Sequence, residues 1–209
     1  MALIKGMLAI FDNPLVEALP RTVVFQYNPT QVTRVFTIAA GAGAGGTAAG
    51  SALDAAKPPQ EEYTLALELD ATDGLERGGL VSLGNGIAPQ LAAIEMILQP
   101  AGSSLLGAAA LRLLGRGGAA IPPSRVPLVL LVWGPGRITP VRVKSLTVRE
   151  TAFDELLNPI HATADLGLTV LREVDLDAGD TAARGAARLY RLQRELRAVL
   201  QLPQALELR

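Results

Sequence analysis

Apolar and polar residues alternate with a period of two in several separate stretches of the chain, the pattern of strands with one face turned to a core. Tyr63, Leu65, Leu67 and Leu69 alternate with Thr64, Ala66, Glu68 and Asp70, so the first set is expected on the buried face. The cleanest alternation runs over 162–170, where Ala162, Ala164, Leu166, Leu168 and Val170 oppose Thr163, Asp165 and Thr169. Val23, Phe25 and Tyr27 alternate with Thr22 and Gln26, although Val24 blurs the pattern. Over 141–150 the phase changes: Val141 and Val143 are odd, Leu146 and Val148 even. One extra residue in a strand moves every later side chain to the other face, so a β-bulge near Ser145 is predicted. In contrast, 128–133 is an unbroken apolar run, as expected of a strand covered on both faces.

Other stretches keep a helical period. Pro89 suits a first helical turn, and Leu91, Ile94, Ile97 and Leu98 follow at helical spacing before Pro100. A further short helix is expected over 108–114. Over 181–200, at about 100° per residue, Leu189, Leu192, Leu196, Val199 and Leu200 share one stripe while Arg184, Arg188, Arg191, Arg194 and Arg197 fill the opposite arc, with Asp180 placed to cap the helix. Three segments read as loops: 39–59, with Gly41, Gly43, Gly45, Gly46 and Gly50 among alanines; 74–89, with Gly84-Asn85-Gly86; and 115–127, with Pro122-Pro123. This order of elements predicts an α+β fold: a mostly antiparallel sheet closed into a small barrel or sandwich over 1–175, with one flanking helix and an appended amphipathic helix and tail over 176–209.

Composition narrows the chemistry. Residues are 49% hydrophobic but only 4% aromatic, and 14 prolines cut the chain into short pieces, so its core has few large anchors and stands to gain from neighbours. A net charge of -1 argues against nucleic-acid binding, which needs an excess of Lys and Arg. With no cysteine there is no disulfide framework and no thiolate metal site. The apolar stretch 8–11 stops at Asp12-Asn13-Pro14, too short for a secretory signal core or a membrane span. A soluble protein made in the cytoplasm, with no direct membrane insertion, is the expectation.

Catalytic candidates are few. His161 is the sole histidine, and no nucleophile-elbow motif surrounds any serine. Asp70, Asp73 and Glu76 follow a strand into a loop, where a general acid or a metal could sit, but surface solvation explains them equally well. Asp175, Asp177 and Asp180 lack the spacing and terminal glutamate of a calcium loop and read better as a helix-start cluster. The glycines of 41–46 are not followed by the Lys-Ser or Lys-Thr of a phosphate loop. No catalytic residue, cofactor or metal is expected; a small hydrolase using His161, or Asp70 with Asp73, is the alternative, and a peptidoglycan-binding module a third.

Five short motifs then occur in a recognisable order. Val23-Val24-Phe25-Gln26-Tyr27-Asn28-Pro29-Thr30 resembles the opening strand and turn of the tube-type proteins of contractile injection systems, the phage-tail-like particles of bacteria and archaea. Leu65-Ala66-Leu67-Glu68-Leu69-Asp70-Ala71-Thr72-Asp73 is similar to the family's second strand and acidic turn, and Pro122-Pro123 ahead of 129–134, ending in Trp133-Gly134, to its next strand. Residues 143–153, from Val143 to Phe153, and the stretch Asn158-Pro159-Ile160-His161-Ala162-Thr163-Ala164-Asp165-Leu166 resemble the last two. The resemblance spans 1–173. It implies a small barrel with one flanking helix that assembles as a six-membered ring, and a structural role as a baseplate tube initiator between the spike hub and the inner-tube proteins, assembled into the particle. An inner-tube or terminal ring subunit of the same particle is the nearest alternative.

Many relatives of that kind carry a C-terminal lysin-motif domain that grips the baseplate. Here only a helix and a short tail follow Asp175, so contact with baseplate wedge proteins is expected from another subunit, or the helix clips a neighbour. Expected subunit contacts are Phe25, Tyr27, Asn28, Pro29 and Trp133 on the sheet and Arg184, Arg188, Arg191, Leu192 and Leu196 on the helix. The hairpins 36–63 and 133–138 are the expected sheet edges.

Overall fold

A computed structural model describes residues 4–11, 20–38, 58–72, 85–99 and 127–200. Most of the 39–59 insertion, the 74–89 and 115–127 loops up to their last residues, the 108–114 helix, Asp73, Glu76, Pro100 and Pro122-Pro123 lie outside the described residues. The elements are β1 (Met7–Phe11), β2 (Arg21–Val24), β3 (Val32–Thr37), β4 (Gln60–Asp70), α1 (Ala88–Glu95), β5 (Leu128–Val132), β6 (Ile138–Phe153), β7 (Pro159–Val170), a 3₁₀ turn (Glu173–Asp175) and α2 (Thr181–Val199). The strands form one seven-stranded sheet in the order β2-β1-β5-β6-β7-β4-β3, and its pairings are antiparallel. The fold is α+β, as the periodicity predicts.

The central strands follow their sequence pattern closely. In the β4–β7 ladder Tyr63 faces Leu168, Leu65 faces Leu166, Leu67 faces Ala164 and Leu69 faces Ala162, and all eight side chains are buried. The bulge lies where the phase change demands it: Val143 pairs with Leu168 but Ser145 with Gly167, leaving Lys144 as the extra residue. A Cβ at Gly167 would overlap the Ser145 hydroxyl, so the glycine lets the bulged strand approach. β5 departs from its pattern. Val129 and Leu131 are buried, whereas Leu130 and Val132 are half-buried, so its second face is only partly covered. β1, an apolar segment with no alternation to mark it, enters the core through Leu8, Ala9 and Ile10.

The sheet curls on itself. β2 and β3 lie at its two edges, about 29 Å apart if seven strands lay flat at the usual spacing of ~4.8 Å, yet a single short segment joins them. Within it the Phe25 N–H donates to the Gly6 carbonyl, beside β1, at 2.9 Å. The next residue, Gln26, clasps the end of β4: its Nε2 donates to the Asp70 carbonyl at 2.6 Å and its Oε1 accepts from the Asp70 N–H at 3.0 Å. Adjacent residues thus touch opposite sides of the sheet, which requires curvature. This crossing also explains why the alternation of Val23, Phe25 and Tyr27 is not a strand throughout: β2 ends at Val24, Phe25 turns into the core and Tyr27 stays exposed.

The helices contact opposite ends of the β4–β7 pair. At one end Gly86, with φ of 55°, brings the chain against β7 so closely that any side chain there would overlap the Pro159 carbonyl. Ile87 N–H then donates to that carbonyl at 2.8 Å. α1 follows with a proline in its first turn and buries Leu91, Ile94 and, just past its end, Ile97. Leu98 is exposed, because the helix stops at Glu95 and the helical period no longer places it. At the other end α2 lies against β6 and the 3₁₀ turn.

Candidate assembly surfaces

Glu61 fixes how α2 sits. It lies two residues before Tyr63 in the β4 alternation, on the core-facing side, and is 3% exposed. Its carboxylate accepts hydrogen bonds from Arg34 Nε at 3.0 Å, from the Tyr190 hydroxyl at 2.9 and 2.8 Å, and from Arg194 Nη1 at 3.1 Å. A buried carboxylate persists only when its lone pairs are satisfied, and here donors from β3 and α2 converge on it. The Arg34 and Arg194 guanidiniums each stand 5.2 Å from the Phe36 ring centre, so cation–π contacts extend the cluster to the exposed end of β3. Burial, with the neighbouring Tyr63 hydroxyl and Glu61, pushes the Tyr190 phenol well above its ordinary value. For Arg34 burial is the largest influence and opposes the charge, but the bond to Glu61 together with the nearby Tyr63, Glu61 and Tyr190 groups outweighs it and raises the pKa.

Three more arginines of the arc bond to the chain outside α2, while Arg191 is exposed and pairs within the helix. Arg184 and Arg188 both reach Glu173, at 3.1 and 2.5 Å, and Arg184 also donates to the Leu176 carbonyl. Arg197 donates to the Gly136 carbonyl in the β5–β6 turn. The bond from Arg188 holds the Glu173 carboxyl below its usual range. Asp180 stands at the N-cap position and accepts the Arg184 N–H through its carbonyl, without a side-chain capping bond.

With the arginines engaged, the apolar stripe of α2 points outward. Leu189 is 61% exposed, Leu192 49%, Leu196 59% and Val199 57%. This is the reverse of an ordinary surface helix, whose apolar face docks on the core. Only Ala187 and Tyr190 of the helix are buried. A second apolar surface lies on β3, where Val35 and Phe36 are exposed, and continues to exposed Ile38 just past its end; Val24 is exposed on β2. Among the described residues β3 pairs only with β4 and β2 only with β1, so each has an outer edge without a ladder partner.

The expected contact residues therefore divide. Phe25 is buried in the chain's own core, 6.1 Å between ring centres from Trp133, which packs against that core as well. Asn28 is engaged locally: its Oδ1 accepts from the Gly6 N–H and its Nδ2 donates to the Ile4 carbonyl, both at 2.8 Å. Pro29 is half-buried beside it. Arg184 and Arg188 serve Glu173, and Arg191 pairs with Glu195 at 3.0 Å. Tyr27, Leu192 and Leu196 are exposed. Of the two hairpins expected as edges, 36–63 supplies one through β3. The 133–138 hairpin does not, because β5 and β6 are interior strands. Sequence reasoning missed Glu61, although its place in the β4 alternation, two residues before Tyr63, marks it as inward-facing.

The chemistry-bearing residues sit apart from these surfaces. His161 lies between Thr151 and Glu68, with Nδ1 2.7 Å from the Thr151 hydroxyl and Nε2 3.4 Å from the Glu68 carboxylate. The three project from adjacent strands β6, β7 and β4, and Thr151 and Glu68 are exposed; cross-strand pairing accounts for their contact. Asp70 has its pKa lowered by the Thr72 hydroxyl first and then by the Thr72 N–H, from which it accepts at 2.7 Å. Asp175 is held by Arg172 at 2.5 and 2.8 Å. Among the described residues no three His, Asp or Glu side chains are grouped to hold a metal ion, and no helix is long and apolar enough to cross a membrane. Neither a family model nor a curated protein matches the chain.

Proposed function

We propose that this chain is a structural subunit of a contractile injection particle, forming a six-membered ring at the baseplate that joins the spike hub to the inner tube and starts tube assembly. The observation that carries this reading is the curled sheet with outer edges β2 and β3 unpaired among the described residues and lined by exposed Val24, Val35, Phe36 and Ile38. Monomeric β proteins guard such edges with charges, prolines or covering loops. Pairing or packing of one copy's edge against the next, repeated by rotation, closes a ring and removes the exposed edges.

The motif order supports the same reading, and the fold gives one motif a physical purpose. Phe25, Gln26 and Asn28, within the stretch that resembles the family's opening strand and turn, make the bonds to Gly6, Asp70 and Ile4 that hold the sheet curled. No cofactor enters this role. The hub, the inner-tube proteins and the wedge proteins would meet the ring on its flat faces and rim. An inner-tube or terminal ring subunit of the same particle fits the same surfaces.

The reading is tested by tagging the chain and imaging particles assembled with it. Label at the base of the tube supports the initiator role, label along the tube or at its far end supports the alternative rings, and particles assembling unchanged without the chain refute both. A His161→Ala variant should still assemble; loss of a hydrolytic turnover in its place would favour an enzyme.

A further inference from the structure

We infer that α2 pairs with the same helix of a second copy of this chain, antiparallel, through its outward seam. Ala182, Gly185, Leu189, Leu192, Leu196 and Val199 follow one another at alternating spacings of three and four residues, the repeat by which two helices interlock side chains along a shared line. The face opposite this line is the one already docked: Ala187, Tyr190 and Arg194 turn toward the sheet. The helix thus has two working faces, one docked on the sheet and one that no described element covers.

The order of side-chain sizes along the seam selects the occupant and its direction. The first two positions, Ala182 and Gly185, are small; the last two, Leu196 and Val199, are large. A parallel pair would set small against small at one end and large against large at the other. An antiparallel pair sets Ala182 against Val199 of the second copy, Gly185 against Leu196, and Leu189 against Leu192, so every layer is filled and a two-fold axis falls between Leu189 and Leu192. In this register Arg188 flanks the seam opposite Glu195 of the second copy, and the two-fold axis repeats that pair of opposite charges. Both side chains are exposed, at 66% and 59%, and each also holds a partner in its own chain, Glu173 for Arg188 and Arg191 for Glu195.

Gly185 gives the independent sign. Glycine is a poor residue inside a helix, and nothing among the described residues calls for it here, because a Cβ at this position meets none of their atoms within 4 Å outside its own helical backbone. Close approach of a second helix does call for it. The seam does not include β2 or β3, so this pairing is separate from ring closure and stands whether or not the ring reading holds.

The chain has no cysteine, so introduced thiols report alone. Positions 185 and 196 are about 16 Å apart along one helix, too far to join within a chain. Full-length protein carrying Gly185→Cys with Leu196→Cys, oxidised mildly, should yield a covalent dimer at twice 21.8 kDa on a denaturing gel. Each single variant should stay monomeric on that gel, and an equimolar mixture of the two should cross-link. Cross-linking of each single variant with itself would show parallel pairing and overturn the register; no cross-link in the double variant would overturn the pairing. As a second measurement, Gly185→Leu, whose Cβ meets no described atom within 4 Å outside its own helical backbone, should weaken self-association through this helix at least tenfold in sedimentation equilibrium with the circular dichroism spectrum kept. Unchanged association would refute the seam.

Discussion

Tyr190 and Glu61 stand 129 residues apart in sequence and meet at one buried end of the sheet, the phenol lying 2.9 and 2.8 Å from the two carboxylate oxygens. This contact, with Arg34 and Arg194 on either side, turns α2 so that Tyr190 and Arg194 meet the sheet and Leu189, Leu192 and Leu196 stay exposed. Truncating Tyr190 to Phe should cost about 1.5–3 kcal/mol, as for a hydrogen bond to a charged group. Glu61→Ala should cost more, because it removes the shared acceptor of Tyr190, Arg34 and Arg194 at once, although the arginines, 36% and 45% exposed, recover part of the loss from water. Urea midpoints of the two variants test the order; an unchanged midpoint for Glu61→Ala would dissociate the cluster from the stability of the fold.

Gln26 is the clasp of the curled sheet. Removing its amide with Gln26→Ala leaves the Asp70 N–H and carbonyl without their partner, at an expected cost of about 1–3 kcal/mol. Hydrogen exchange should then show faster opening at Asp70 and Phe25 than at the β6–β7 ladder. Uniform acceleration across the sheet would mean the clasp does not act locally.

At the bulge, Gly167→Ala should destabilise the chain because its methyl meets the Ser145 hydroxyl. Ser145→Ala removes that oxygen and leaves the Ser145 Cβ at 3.7 Å from the added methyl, an ordinary contact. The double variant should therefore recover most of the loss, giving a coupling of about 0.5–3 kcal/mol in a double-mutant cycle. Additive losses would place the strain elsewhere.

Acid should weaken the fold. Asp70, Asp154 and Glu173 have pKa values lowered by their bonds to Thr72, Asn158 and Arg188 respectively. A carboxyl lowered in the folded state contributes stability above its unfolded pKa of about 4 and loses it as pH falls through the folded value. Tyr190 acts at the other end: its raised pKa contributes stability below about pH 10 that is lost as pH rises further. A tyrosinate absorbance titration should find the Tyr190 phenol resistant until unfolding, and Tyr190→Phe should remove its share of the late step. A late step unchanged by Tyr190→Phe would contradict the buried phenol.

The β3 surface gives a test of assembly that spares the fold. Val35 and Ile38 are exposed, so Val35→Lys with Ile38→Lys should change the urea midpoint little, within about 0.5 kcal/mol of stability. The same variant should fail to form rings or enter particles, since charges on an edge block pairing.

Much of this was legible in the chain, because burial of one strand face forces a period of two: Leu65, Leu67, Ala164 and Leu166 could be assigned to the core from alternation alone, and the displaced phase of Leu146 and Val148 located the bulge. β1 left no such mark, since Leu8, Ala9 and Ile10 are all buried and alternate with nothing. The orientation of α2 was hidden for a different reason. Amphipathic pattern identifies two faces but not which is docked, and here Glu61, a long-range partner in β4, recruits the polar face. Phe25 and Trp133, expected as subunit contacts, are drawn into the chain's own core by the crossing between β2 and β3.

The central claim is ring assembly, and electron microscopy of the purified full-length protein together with its mass by light scattering tests it most directly. Closed rings with six-fold symmetry, single or joined in pairs through α2, are the expected result. A monodisperse monomer or an isolated dimer, in a protein that takes no place in an injection particle, would contradict the account.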